Sequence, residues 1–112
     1  MKKQPVGVGV SSGNIFADVG LENAEEELTK ARLTAAIAKA IERRRFRNQT
    51  AVATALGIDQ PKVSKLLRGH FAEYSVERLM SFLTRLGYDV RIEVSGRANP
   101  RRHGHLEVVD AA

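Results

Sequence analysis

Apolar residues along this chain recur with two different periods, and each period predicts an element. Leu33, Ile37, Ala40 and Ile41 recur at helical spacing and make the buried face of a long helix. Asn23, with Glu26 three residues on, reads as a capping box that opens it. Glu25, Glu26 and Glu27 suit the positive end of its dipole, and Arg43, Arg44 and Arg45 the negative end. Val52, Ala53 and Leu56 form the inward stripe of a short helix from Gln49 to Leu56, with Asn48 as its N-cap. Val63, Leu66 and Leu67 mark the inner face of a third helix. Ser75 caps a fourth, whose apolar face is Leu79, Phe82, Leu83 and Leu86, and Gly87 ends it. The period then changes. Tyr88-Asp89-Val90-Arg91-Ile92-Glu93-Val94 alternates strictly, which predicts a strand over 88–94.

Residues 48–69 carry the most specific pattern. Gly57 stands where a left-handed residue closes one helix, Ile58 plugs the turn, Asp59 caps the next helix, and Pro61 sits in its first turn, where a missing N–H costs nothing. Ala53 is small, which suits two helices crossing steeply. Val63, Leu66 and Leu67 face inward, leaving Gln60, Pro61, Ser64, Lys65 and Arg68 on the opposite face and Lys62 at its flank; Gly69 stops the helix. Two short helices, a tight turn and a basic outer face on the second are the pattern of a helix-turn-helix that places a recognition helix in the DNA major groove.

Charge falls where that pattern does. Residues 28–72 hold ten Lys or Arg against two acids, whereas residues 1–27 are net −3 and residues 73–112 are net zero. A cationic concentration on the motif attracts a polyanion and speeds encounter with it. Composition narrows the field further. The chain has 112 residues and no cysteine, so one small core is expected, with no disulfide and no thiolate chemistry. No apolar run approaches a membrane span, and Met1-Lys2-Lys3-Gln4-Pro5 lacks the apolar stretch of a signal peptide, so a cytoplasmic protein is expected. The acids are spread over caps and helix faces, with no pocket-like pairing to a His or Ser, so no enzymatic activity and no cofactor are expected. His70 reads as a polar loop residue, and His103-Gly104-His105 lacks further ligands for a metal. With two Tyr and four Phe there is no aromatic platform of the kind single-stranded RNA stacks on.

The sequence Gln49-Thr50, Ala53, Leu56-Gly57-Ile58, Gln60, Val63-Ser64 and Gly69 resembles the XRE-type (Cro/repressor-type) helix-turn-helix. The lead-in Ser12 to Leu21, Lys30-Ala31-Arg32-Leu33, Gln60 to Ser64 and the closing Leu79, Phe82-Leu83 and Leu86-Gly87 are similar to one subfamily of small XRE-type proteins, over about Ser12 to Val94. Members of this kind, typified by the HigA antitoxins, are often encoded beside a small RelE/HigB-like toxin. The resemblance therefore implies an antitoxin that represses its own operon; stand-alone XRE-type regulators are the alternative, and a toxin-neutralising interaction module with incidental DNA binding is a further one.

The expected fold is mainly α, a lambda-repressor-like helical bundle with one C-terminal strand. Residues 1–13, with alternating Val6-Gly7-Val8-Gly9-Val10, form a flexible arm or short edge strand; 14–94 form the domain; 95–112 form a disordered tail. Ile15, Phe16, Val19 and Leu21 are read as an apolar clip on the helices. A lone strand needs a backbone partner. Val6–Val10 is one candidate, and the same strand of a second subunit across a two-fold axis is favoured. The resemblance also implies a homodimer on double-stranded DNA. On this reading Gln60, Pro61 and Lys65 meet base edges, Pro61 by apolar contact alone; Gln49, Lys62, Ser64 and Arg68 hold phosphates, and Gln49 also braces Gln60.

Overall fold

The computed structural model describes residues 15–96, 100–101 and 103–110, with side chains from residue 23 onward. Four helices follow in order: α1 Ile15–Arg44, α2 Gln49–Leu56, α3 Gln60–Leu67 and α4 Val76–Arg85. α1 packs chiefly on α4, and α2 on α3. The predicted apolar stripes meet in one core: Leu33, Ile37 and Ala40 from α1, Val52, Ala53 and Leu56 from α2, Val63 and Leu66 from α3, and Leu79, Phe82, Leu83 and Leu86 from α4 and its cap, closed by Tyr74. Leu67 and Ile41 pack against its edge.

α1 is longer than its pattern predicted. It begins at Ile15 and runs without interruption through Asn23, so Asn23 is an interior residue and no cap. The Asn23–Glu26 pair is a weak stop signal when Ala24, Glu25 and Leu28 on one side and Ala17, Leu21 and Glu22 on the other all favour helix. The segment read as a clip is the first two turns of the same helix; its side chains, like arm 1–13, lie outside the described residues. Thirty residues make a rod of about 45 Å, close to the longest dimension of the molecule, 50 Å. Among the side chains described along it, from residue 23 onward, full burial starts at Thr29. Lys30 comes next. It is buried, and its ammonium donates to the Ala72 carbonyl at 3.2 Å with Glu26 at 3.8 Å, which ties the α3–α4 loop to α1.

The other helix ends follow the capping signals except at Asp59. The Asn48 side chain accepts from Ala51 N–H at 2.9 Å and the Ser75 hydroxyl from Arg78 N–H at 3.0 Å. Asp59 stands at the N-cap of α3 without a side-chain hydrogen bond. A capping carboxylate takes the N–H of the second or third helical residue; here the second is Pro61, which has none. α2 closes through Gly57, at φ 75°, with Ile58 N–H reaching back to the Ala53 carbonyl at 3.1 Å. The Arg85 guanidinium lies over this glycine, and a Cβ there would meet its Nη1 at 3.0 Å. Gly57→Ala is expected to cost about 1–2 kcal/mol from the left-handed backbone, read as a lower thermal midpoint. The same change in an Arg85→Ala background isolates the backbone part, and no loss there would contradict the left-handed turn.

Among the described residues there is no strand. Residues 88–95 carry neither helix nor ladder; the Tyr88 N–H reaches back to the Leu83 carbonyl at 3.0 Å, and the segment is paired with no other strand among the described residues. The expected strand is therefore absent from the single chain, although Tyr88 and Val90 do pack on the core edge. Residues 103–110 are also without helix or strand, yet they touch α1: His105 Nδ1 lies 3.2 Å from a Glu25 carboxylate oxygen, Val108 packs against the core, and Asp110 accepts from Lys39 Nζ at 2.9 Å.

Candidate nucleic-acid interface

The face read as the recognition surface is built by α3 and the start of α2. Val63 and Leu66 are fully buried, which pins the orientation of α3. Gln60, Pro61, Lys65 and Arg68 consequently stand exposed on its outer side, with Ser64 half-buried among them and Lys62 exposed at the flank. Eight residues span about 12 Å, which is short enough to present this row to one stretch of groove. Gly69, at φ 92°, and a hydrogen bond from His70 N–H to the Lys65 carbonyl at 3.0 Å stop the helix.

The two helix starts lie side by side. The Thr50 hydroxyl donates to Gln60 Oε1 at 3.4 Å, so Thr50 holds Gln60 and Gln49, expected to do so, stands exposed beside it. The contact leaves the Gln60 amide N–H groups free and one lone pair of Oε1 available, the donor–acceptor pair that the major-groove edge of adenine matches. Further along, Arg68 Nη1 donates to Ser64 Oγ at 3.1 Å. The predicted phosphate residues Ser64 and Arg68 are thus one linked pair, while Lys62 lies around the helix from them.

A second cationic group borders this face. Arg43 to Arg47 hold four arginines around Phe46; along the chain Arg43, Arg44 and Arg45 read as partners of the helix dipole, and all four as part of the cationic stretch 28–72. Their surroundings divide them. Arg44 is held by the fold: its Nη1 donates to the Leu86 carbonyl at 3.4 Å and its guanidinium stacks on Phe46 at 4.6 Å. All four are exposed, and Arg43, Arg45 and Arg47 lack these contacts. Arg45 takes a left-handed backbone, φ 53°, which turns the chain from α1 toward α2. Arg47 immediately precedes the Asn48 cap, so these cations sit next to the α2 N-terminus and its unsatisfied N–H groups. No cluster of metal-ligating side chains and no helix long and apolar enough to cross a membrane occurs among the described residues.

Two crossing helices joined through a left-handed glycine, with an exposed polar row on the second, define a helix-turn-helix domain, and the sequence profile of such a domain matches residues 15–95. A solved structure provisionally named an XRE family transcriptional regulator is 43% identical, covers 80% of this chain and 99% of its own, and superposes with a TM-score of 0.71. The chain belongs to the XRE-type helix-turn-helix family. No curated protein matches it.

Proposed function

We propose that the protein is a sequence-specific repressor of transcription that binds operator DNA as a homodimer in the cytoplasm. The observation that carries this reading is the exposed row Gln60, Pro61, Lys65 and Arg68 on α3, set beside the α2 N-terminus within the cationic stretch of the chain. α3 enters the major groove. Gln60 reads adenine, Lys65 reads guanine or a phosphate, and Pro61 offers apolar contact to a thymine methyl. Gln49, Lys62, Ser64 and Arg68 hold phosphates and set register. Arg43, Arg45 and Arg47 extend the same phosphate contacts past the start of α2. Residues 14–94 form the DNA-binding dimer unit, which pairs through 88–94.

The operon context follows from the resemblance of Ser12 to Val94 to HigA-like antitoxins: the chain neutralises a RelE/HigB-like toxin and represses the operon that encodes both. The stand-alone regulator is the second reading, favoured by the name of the 43% identical structure, which speaks of regulation. Capture of the native protein from its source cells separates the two. A small partner in equal amount, toxic when expressed alone and silenced by this chain, establishes the antitoxin; DNA recovered without a protein partner establishes the regulator.

The reading face has its own test. Operator fragments are selected from a random duplex library, and binding is measured by fluorescence anisotropy. Gln60→Ala is expected to cost about 1–3 kcal/mol on the selected site and to relax preference at one base pair. Lys62→Ala is expected to weaken all duplexes alike and lower the salt slope by about 1. Loss of non-specific affinity alone in both variants would move the reading face elsewhere.

A further inference from the structure

Among the described residues, four of the five large hydrophobic side chains left exposed, Ile92, Val94, Leu106 and Val109, lie after the last helix. The first two continue a row. Tyr88 and Val90 rest against the core edge, and Ile92 and Val94 follow at the same alternation but stand 74% and 95% exposed. The apolar row therefore starts on the bundle and runs off it. On the alternate positions Asp89, Arg91 and Glu93 are all exposed, with charges in the order minus, plus, minus. The Tyr88 N–H donates to the Leu83 carbonyl at 3.0 Å, but the segment beyond it belongs to no ladder, leaves Ile92 and Val94 uncovered, and carries an alternating charged face.

We infer that the segment is completed by a second copy of itself, in an antiparallel pair whose two-fold axis passes through Ile92. The inference rests on the homodimer proposed above and specifies its junction. Opposed residues in an antiparallel pair share a face of the ribbon, so with identical strands the axis must pass through a residue. Three positions, 90, 91 and 92, leave at least two opposed pairs on each side of the axis within 88–94. An axis at Arg91 sets that arginine against its own copy and Asp89 against Glu93, so every charged pair repels. An axis at Val90 pairs Asp89 with Arg91, but it sets Val94 against Leu86, which is the buried cap of α4 and not strand. An axis at Ile92 pairs Arg91 with Glu93 twice, Ile92 with itself, and Val94 with Val90 twice. Val90 already packs on its own core, so each protomer's overhanging valine is covered by the other's bundle edge. The pairing also ends where the chain turns, since Tyr88 then meets Gly96, at φ 101°. A two-stranded ribbon alone is marginal in water; here both ends of its apolar face are seated on helical cores.

Charge exchange in the full-length protein tests the register, with sedimentation velocity over a dilution series giving the dimer dissociation constant and circular dichroism confirming the helices. Arg91→Glu and Glu93→Arg each turn two attractive pairs into two repulsive ones, and each is expected to weaken the dimer roughly tenfold or more. The double variant, with the wild-type net charge, is expected to return to the wild-type constant. Rescue of Arg91→Glu by Asp89→Arg in place of Glu93→Arg would overturn the Ile92 register in favour of Val90. Single variants as tightly dimeric as wild type, or a monomeric wild type, would overturn the strand junction altogether. Binding of a random-sequence 20-base-pair duplex, read in parallel, tests the DNA reading separately: wild type that dimerises and ignores the duplex keeps this junction and removes that reading.

Discussion

Phe82→Ala is expected to destabilise the domain by about 3–5 kcal/mol, the range for emptying a buried phenylalanine site. The ring is fully buried at the centre of the α4 stripe. The Tyr74 ring meets it edge-on, with centroids 5.5 Å apart and planes at 72°, and the Arg78 guanidinium lies 4.8 Å from its centroid. Removing it forfeits contacts with the loop before α4 as well as with the core. Small domains hold only about 5–15 kcal/mol in total, so the midpoint of thermal unfolding should fall by 10 °C or more, on the order of 4–8 °C per kcal/mol. Circular dichroism melts check this. Duplex binding at low temperature should survive in whatever fraction remains folded, because Phe82 contributes nothing to the α3 face. A loss below about 1 kcal/mol would mean that the site collapses freely, against the close packing that the Tyr74 contact implies.

The motif was legible because its signals are local and mutually consistent. Val52, Ala53 and Leu56, then Gly57, then Val63 and Leu66 each sit where a single-turn argument places them, and all of them are buried or left-handed as expected. Ser75 and the stripe Leu79 to Leu86 were legible for the same reason. The failures involve competition or distance. At Asn23 a good capping residue stands inside a run of helix formers, and extending the helix wins. At Asp59 the cap lacks its nearest donor because that residue is Pro61, a conflict visible only when the two signals are combined. Alternation over 88–94 describes a surface correctly but cannot supply the strand that would lie against it. The arginines at 43–47 look equivalent along the chain. Only the approach of α4, which places the Leu86 carbonyl within reach of Arg44, separates the one that holds the fold from the three that do not.

That separation gives the largest expected effect on binding. Replacing Arg43, Arg45 and Arg47 together with Gln should flatten the dependence of log affinity on log salt by about 2.7, if each neutralises one phosphate of a duplex at roughly 0.9 per contact. The folded stability should change little, since exposed substitutions away from packed features stay within about 0.5 kcal/mol. Arg44→Gln is the internal control. It leaves the Leu86 carbonyl without its donor and Phe46 without its stacked cation, so it should lower the melting temperature while leaving the salt slope nearly intact. Preference among duplexes of different sequence should be unaffected in the triple variant, because phosphate contacts carry no base information. Should preference change along with the slope, one of these arginines reaches a base edge, and the recognised site extends beyond what α3 spans. An unchanged slope would place the arginines off the duplex and confine the electrostatic contact to the cations of α3.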